Sequence, residues 1–163
     1  MGSGITEINK DTFWQLIEET KNQCGQDMDA SISWIKKELL SMPPEQSLQF
    51  HAIMHGYRDL ADKYGLWTAA IFIKEYGCSD DGFMDFRAWL IAQGRDIYMV
   101  ALENPDSLTR VEQYGDCEFE LLNYVGDYAY QELTGRSAYV DCTPEMEKRV
   151  LEEISGEIKY HPL

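Results

Sequence analysis

Apolar side chains recur at every third or fourth position along most of this chain. The first such segment lies between Asp11, which can cap a helix, and Gly25, which can end one. Its apolar members are Phe13, Leu16, Ile17 and Cys24. Alternation of apolar and polar residues with a period of two, which half-buried strands require, is almost absent. The spacing therefore predicts helices and argues against a substantial sheet.

The same spacing predicts where the next helices begin and end. The Pro43-Pro44 pair ends a second helix and opens a third, because proline suits a first turn but not a helix interior. The third helix is predicted to run from Pro44 to Tyr64, with Gly65 as its stop. The segment 66–73 is apolar on nearly every side. We interpret it as the most buried helix, with a short buried strand as the alternative.

The second half of the chain carries further helix starts. Ser79 is the expected N-cap of one helix, and Thr143-Pro144 has the order of residues that begins another. Residues 136–142 are the only segment expected to be extended. Together these signals predict an all-α fold, a compact single-domain bundle of seven or eight helices with short connections.

The charge of the chain limits its partners. Among 163 residues, 29 are acidic and 14 basic, which gives a net charge of −15, and residues 112–163 hold 12 of the acidic residues but only 4 of the basic ones. Such a surface repels nucleic-acid phosphates and anionic bilayers, so we expect neither nucleic acid nor membrane as a partner. It attracts basic proteins. The plainer interpretation is that the charge only keeps the protein in solution.

The composition also bears on class and location. Hydrophobic residues make up 44% of the chain and aromatic residues 12%, enough for a packed core and too many for intrinsic disorder. The stretch Met1–Gly4 lacks the basic and apolar regions of a signal peptide and is in part typical of a vector-derived leader. The four cysteines are widely spaced without a C-x-x-C pair, so we expect free thiols, no zinc site and a cytoplasmic location.

The segment Gly77–Arg95, GCSDDGFMDFRAWLIAQGR, is the most distinctive part of the chain. It resembles the signature of a bacterial family catalogued as "domain of unknown function 4240". Further blocks similar to that family follow in its order. They are Phe13–Glu18, Leu66–Ala70, Glu103–Leu108, Glu118–Glu120 and Tyr128–Tyr130. The resemblance covers roughly residues 11–135.

This resemblance implies a small bacterial protein of no established activity. It supplies no catalytic residue and no cofactor. It does suggest a division of the chain. We predict a flexible N-terminus over residues 1–10, a helical family-like domain over 11–135, and a C-terminal extension over 136–163 with one helix packed on the same domain.

The first candidate site is the Ser79–Arg95 block. On a helix, Asp81, Asp85 and Trp89 recur every four residues and share one face. One interpretation makes the block a binding pocket or docking edge for a small molecule or partner. Its members are Ser79, Asp80, Asp81, Asp85, Arg87, Trp89 and Arg95. The other interpretation, which we favour, is a capped helix with buried aromatic residues and one structural ion pair.

A second candidate is the pair His51 and His55, four residues apart on the third helix. Asp59 and Asp62 share that side, and two imidazoles with a carboxylate resemble a zinc-binding set. A zincin motif, however, needs a glutamate directly after the first histidine, where this chain has Ala52. We therefore expect a solvated polar face without a metal.

Two further sets of residues are weaker candidate sites. Cys78 precedes a helix N-terminus, where a thiolate is favoured, and His51 or His55 would be its base, but a packing cysteine is the preferred interpretation. Tyrosines are favoured at interfaces, although core packing explains most of those in this chain. The tyrosines considered are Tyr114, Tyr124, Tyr128, Tyr130 and Tyr139.

These observations favour an interaction module over an enzyme. The chain has no G-x-S-x-G elbow, P-loop or G-x-G-x-x-G motif. We expect the acidic helical faces around residues 112–157 to dock a basic protein partner, with a toxin or a regulatory protein as examples. The alternative is a small-molecule-binding protein or small enzyme that uses the Ser79–Arg95 block.

Overall fold

The chain folds into a bundle of helices, with no strand among the described residues. The computed structural model describes residues 4–74, 78–110 and 117–158, the side chains of 109 and 110 excepted. The α-helices within these ranges are α1 (Lys10–Cys24), α2 (Met28–Leu40), α3 (Pro44–Leu60), α4 (Tyr64–Ile73), α5 (Asp80–Ala92), α6 (Arg95–Glu103), α7 (Val125–Thr134), α8 (Ala138–Asp141) and α9 (Pro144–Ser155). Two 3-10 helices are η1 (Pro105–Arg110) and η2 (Glu120–Asn123). The predicted all-α class is confirmed.

Local capping chemistry sets where several helices begin and end. Ser79 Oγ accepts a hydrogen bond from the backbone N–H of Gly82 at 3.1 Å, which begins α5. Thr143 Oγ1 accepts from the N–H of Met146 at 3.2 Å and begins α9. Gly135 ends α7 with a φ of 73°, a left-handed conformation that glycine adopts without strain. Both predicted N-caps are confirmed.

Helix α3 lies at the centre of the bundle, against α2, α5, α7 and α9. Its Phe50, Met54 and Tyr57 side chains are fully buried. Phe13 of α1 stacks on Tyr57 with ring centroids 5.7 Å apart, and the hydroxyl of Tyr98 in α6 donates to the carbonyl oxygen of Tyr57. The burial of these aromatic rings stabilises the packing of α1, α3 and α6.

The N-terminal residues that are described contact this core. Ile5 and Ile8 are buried, and the backbone N–H of Ile8 donates to Gln46 Oε1 at 2.6 Å. Asn9, rather than the expected Asp11, caps α1. Residues 4–9 are therefore attached to the bundle within the segment that we predicted as flexible.

The third helix ends earlier than Gly65. Helix α3 stops at Leu60, and α4 begins at Tyr64, so that Gly65 lies in the first turn of α4. A Cβ at Gly65 would lie 3.1 Å from Cγ of Pro105. This glycine is therefore explained by the close packing of η1 on α4, and its prediction as a helix stop is wrong.

Helix α4 is at the edge of the bundle, so its prediction as the most buried helix is wrong. Among its residues only Leu66 and Ala70 are buried. Tyr64 is 79% exposed and Phe72 is 84% exposed. The helix packs mainly on η1 and α5. The apolar character of its sequence on all sides does not decide which side meets the core.

Residues 138–141 form the short helix α8, whereas we expected 136–142 to be extended. The buried Asp127 of α7 accepts the N–H of Ala138 at 2.7 Å and the hydroxyl of Ser137 at 3.3 Å. The start of α8 is thus held by a carboxylate from another helix. Because this contact is tertiary, the local sequence does not show it.

The residues after 136 pack on the central helix. Val150 and Ile154 of α9 are buried. At Gly56 of α3, a Cβ would lie only 2.6 Å from Cδ1 of Ile154. Glycine at position 56 therefore allows the close approach of α9 to α3.

Candidate functional site

The Ser79–Arg95 block is divided between exposed and buried positions. Ser79 caps α5, and Asp80 and Asp81 are exposed in its first turn, where the helix dipole favours anions. Trp89 is 1% exposed and stacks on Phe86 with ring centroids 5.4 Å apart. The predicted common face of Asp81, Asp85 and Trp89 therefore runs from solvent into the core rather than along a pocket.

Arg87 has a structural role between two helices. Its guanidinium is buried, donates to the carbonyl oxygen of Arg58 at 3.0 Å and lies 4.7 Å from the ring centroid of Phe83. Burial lowers the pKa of this guanidinium. The contacts connect α5 to the last turn of α3, where the Arg58 carbonyl oxygen also accepts from the backbone N–H of Ala61 at 3.2 Å.

Asp85 is the least exposed aspartate of the block. It is half-buried, and its Oδ1 accepts a hydrogen bond from Asn123 Nδ2 at 3.4 Å. Burial raises the pKa of Asp85 to about 6, with the charges of Glu120 and Glu118 acting in the same direction. This carboxyl group therefore changes its charge close to neutral pH.

Arg95 belongs to a different set of contacts. It is the first residue of α6, and its guanidinium pairs with Glu157 at 3.1 Å. Glu157 also pairs with Lys10 at 2.8 Å. These two ion pairs connect the end of α9 to α1 and α6. The candidate residues therefore do not converge on one point.

A cavity between α1, α2 and α5 is bordered by Trp89. Its volume is about 30 Å³, and its polar lining includes Thr20 and Ser31. A cavity needs roughly 10–15 Å³ to hold one water, so this one has the size of a hydration site rather than of a substrate site. Neither Asp85 nor Arg87 lines it.

The histidine pair on α3 is covered by other helices, so the predicted solvated polar face is wrong. His51 is only 4% exposed, and His55 is half-buried. The ring of Tyr139 in α8 stands edge-on, 4.6 Å from the His51 centroid and 5.6 Å from that of His55. Helix α7 approaches the same side, since a Cβ at Gly126 would lie 3.1 Å from the backbone nitrogen of His51.

Both imidazoles are neutral at neutral pH. Burial lowers the pKa of His51 to about 3 and that of His55 to about 4. His55 Nε2 lies 2.9 Å from the carbonyl oxygen of Asn123, so this nitrogen carries the proton and donates. Asp59 and Asp62 are exposed. Across the described ranges, no group of three His, Cys, Asp or Glu side chains could hold a metal ion.

Cys78 does not have the environment of an activated thiol. It is half-buried, and its Sγ–H donates to the carbonyl oxygen of Ser79 at 3.6 Å. Burial raises the pKa of this thiol. This environment does not favour a thiolate at the start of α5. None of the four cysteines, all of which lie in the described ranges, forms a disulfide.

Three of the candidate tyrosines meet at the surface above the histidines. The ring centroid of Tyr124 lies 6.2 Å from that of Tyr128 and 6.5 Å from that of Tyr139. Tyr130 is buried elsewhere and donates its hydroxyl to a carboxylate of α8. Tyr114 lies outside the described residues. The tyrosine set is thus one surface cluster of three, together with a separate buried residue.

The acidic surface of the C-terminal third is built mainly by α9. The exposed carboxylates within 117–158 are Glu120, Glu132, Glu145, Glu147, Glu152 and Glu153. Glu132 pairs with Lys36 of α2 at 2.9 Å. No ion pair within the described part of the chain engages the four carboxylates of α9. Helix α9 also exposes two cations, Lys148 and Arg149, so its exposed side chains keep an acidic excess.

A surface that our sequence reasoning missed lies on α4. Tyr64, Ile71 and Phe72 are exposed by 79%, 43% and 84%. At 100° per residue, their directions around the helix fall within about 100° of one another, so they share one face. We call this set the α4 face. The sequence of this segment is apolar on nearly every side, so it does not distinguish the exposed side of the helix from the side that meets the core.

Exposed carboxylates lie beyond both ends of the α4 face. Asp62 stands two residues before Tyr64, and Asp106 follows Pro105, whose ring packs at Gly65. At the other end, the ammonium group of Lys74 lies against the first turn of α5, where a Cβ at Gly82 would be 3.0 Å from it. That turn carries Asp80 and Asp81. We call these four aspartates the α4 rim.

Comparison with known proteins places the chain in a family. No curated protein and no solved structure matches it. Among the described residues, no helix is both long and apolar enough to cross a bilayer. The model of the family described as "Protein of unknown function (DUF4240)" matches residues 8–132, which is most of the chain. The resemblance found in the sequence is thereby confirmed, and this protein belongs to the DUF4240 family.

Proposed function

We propose that this protein is a non-enzymatic interaction module of the bacterial cytoplasm that docks the basic surface of a protein partner, in an immunity or regulatory role. The observation that carries this proposal is the set of four exposed glutamates on α9, which outnumber its two exposed cations, Lys148 and Arg149. Four of its glutamates have no ion-pair partner in the described structure. Such a field speeds encounter with a basic surface and contributes to specificity.

The geometry of the polar residues also supports binding rather than catalysis. The candidate nucleophile Cys78 has a raised pKa, and the two candidate bases His51 and His55 are buried beneath Tyr139. Asp85 and Arg87 each make contacts within the bundle. Cys78, His55, Asp85 and Arg87 thus have hydrogen-bond partners within the chain.

Affinity capture of the tagged full chain from its native host tests this proposal. We expect one stoichiometric partner with a basic surface, and we expect rising salt concentration to release it because screening weakens exposed charge pairs. Neutralisation of the four α9 glutamates should weaken capture. The substitutions are Glu145→Gln, Glu147→Gln, Glu152→Gln and Glu153→Gln.

A matched control changes the same number of exposed carboxylates in the N-terminal third of the chain. The substitutions are Glu7→Gln, Glu18→Gln, Asp29→Asn and Glu45→Gln, all at exposed positions. This variant should retain the partner. Capture of no stoichiometric partner, or retention that does not change with salt, would contradict the proposal.

A further inference from the structure

The α4 face is an apolar surface without a partner in the described structure. Its members Tyr64 and Phe72 have more than three quarters of their area in solvent, at 79% and 84%. Exposed apolar side chains grouped on one helix face mark interaction sites, whereas single ones do not. Helix α4 itself carries no charged residue between Lys63 and Lys74. Desolvation of this face would therefore bury no charge of its own.

The charges around the α4 face indicate what it binds. The four aspartates of the α4 rim are exposed. At one end, the half-buried Lys74 pairs with Glu118 at 2.5 Å. At the other end, Lys63 is also half-buried. An apolar stripe between two acidic ends is complementary to an apolar stripe between two basic ends. We propose that the α4 face binds a basic amphipathic helix of a protein partner.

The dimensions suit a short helix. Tyr64 and Phe72 are eight positions apart, which is about 12 Å along the helix axis. Apolar anchors at i, i+4 and i+7 of a partner helix span a similar length on one face. Lysine or arginine side chains beyond those anchors would reach the carboxylates at the two ends. This inference rests on the proposed interaction function and names its docking site and the class of segment that docks.

Two other occupants are less compatible with the rim. A second copy of the chain would bring its own four aspartates against those of the first, and like charges at close range oppose association. An anionic bilayer would meet the same carboxylates. A basic helix is the occupant that gains from both the apolar stripe and the charges.

A synthetic peptide tests the inference without knowledge of the natural partner. The probe is a fluorescein-labelled helix of about 14 residues, with leucine at i, i+4 and i+7, lysine at both ends, and alanine and glutamine elsewhere. Fluorescence anisotropy with the full-length protein measures its Kd. Two control peptides keep its length. One replaces lysine by glutamate, and the other shuffles the leucines off the common face.

The matched protein variants separate the α4 face from other exposed apolar residues. We expect the double variant Ile71→Ser, Phe72→Ser to weaken peptide binding by about tenfold or more, because both anchors are removed from the contact. Val140→Ser, at a residue 73% exposed on α8, should change it by less than about twofold. Asp80→Asn with Asp81→Asn should weaken binding and reduce its salt dependence. Circular dichroism confirms that each variant is folded.

The outcomes are distinct. The inference is overturned if the wild-type protein does not bind the lysine peptide, or if it binds either control peptide equally well. It is also overturned if the Ile71→Ser, Phe72→Ser variant binds the lysine peptide as tightly as the wild type does. The inference is overturned as well if the wild-type chain dimerises or adsorbs to phosphatidylcholine vesicles and this double variant does not. A native partner that the double variant retains and the α9 glutamine variant loses would overturn this inference alone. Peptide binding at the α4 face without any native partner would contradict the proposed function instead.

Discussion

The imidazole rings of His51 and His55 lie with their centroids 4.1 Å apart on one side of α3. The ring of Tyr139 closes over both. Protonation of either ring would place a cation in a site where burial and the nearby Arg58 oppose it. The folded state therefore requires both histidines to be neutral.

Stability should fall as the pH falls below about 6.5. In the unfolded chain each histidine gains a proton near its ordinary pKa of 6.5, whereas in the folded state the pKa values are about 3 and about 4. Protons thus bind the unfolded state first, and stability is lost between pH 6.5 and about 3. The expected loss is of the order of 2 kcal/mol per histidine at about pH 5. Urea denaturation between pH 5 and pH 7.5 measures it.

A double variant identifies the groups responsible for this slope. His51→Gln with His55→Gln removes both titrations, and glutamine at 55 can still donate to the Asn123 carbonyl. We expect lower stability at neutral pH but a much flatter dependence below pH 6.5. An unchanged slope in this variant would mean that other groups cause the acid sensitivity.

Gly126 allows α7 to lie directly on α3. A Cβ at this position would be 3.1 Å from both the backbone nitrogen and the Cβ of His51. Gly126→Ala should therefore destabilise the protein by about 1–3 kcal/mol, since the backbone of α3 cannot yield without moving the helix. The higher helix propensity of alanine, worth about 1 kcal/mol, acts in the opposite direction. Urea denaturation at neutral pH measures the difference.

Gly156→Ala is the control for this change. Gly156 has a φ of −64°, and the nearest atom to a Cβ there would be the Glu153 carbonyl oxygen at 3.8 Å. We expect no loss of stability. If both alanine variants behave alike, the contact of α7 with His51 is not as close as the structure shows.

The helices themselves could be predicted from the sequence because their signals are local. The capping residues Ser79 and Thr143 and the terminal Gly135 lie next to the helices that they begin or end. The burial of the histidines could not be predicted, because α7 and α8 cover His51 only in the folded bundle. A polar face with two imidazoles has the same pattern whether water or another helix lies against it.

The same reasoning applies to the candidate site. The sequence drew attention to Asp85 and Arg87, and both have perturbed pKa values in the structure. Their roles could not be predicted, since Arg87 binds a carbonyl group of α3 and Asp85 binds a residue of η2. Helix α4 is apolar on nearly all sides, so its sequence does not show which side is exposed. Only the position of α4 at the edge of the bundle shows which residues face solvent.

Helix α9 should contribute to the stability of the whole bundle. Ile154 is 1% exposed and packs at Gly56 of α3. Ile154→Ala should cost about 2–4 kcal/mol, the range for large-to-small changes in a core. Leu151→Ala, at a residue of the same helix that is 41% exposed, should cost less than about 1 kcal/mol. Equal, small losses would show that α9 unfolds apart from the bundle, contrary to the predicted packing of residues 136–163 on one domain.

Asp85 should have a pH effect of the opposite sign to that of the histidines. Its pKa is about 6 in the folded state and 3.8 ordinarily, so the folded state holds its proton more tightly. The ionised carboxylate therefore destabilises the folded state above about pH 6, and this destabilisation is absent below about pH 4. Asp85→Asn removes the charge and retains an oxygen for Asn123. Because solvent screens this half-buried group, we expect a gain of only about 1 kcal/mol at pH 7.5, which disappears towards pH 4.

The same change one turn earlier, Asp81→Asn, should instead lose a few tenths of a kcal/mol of helix-dipole stabilisation. Urea denaturation of both variants at the two pH values would contradict this assignment if Asp85→Asn were no more stable than wild type at pH 7.5.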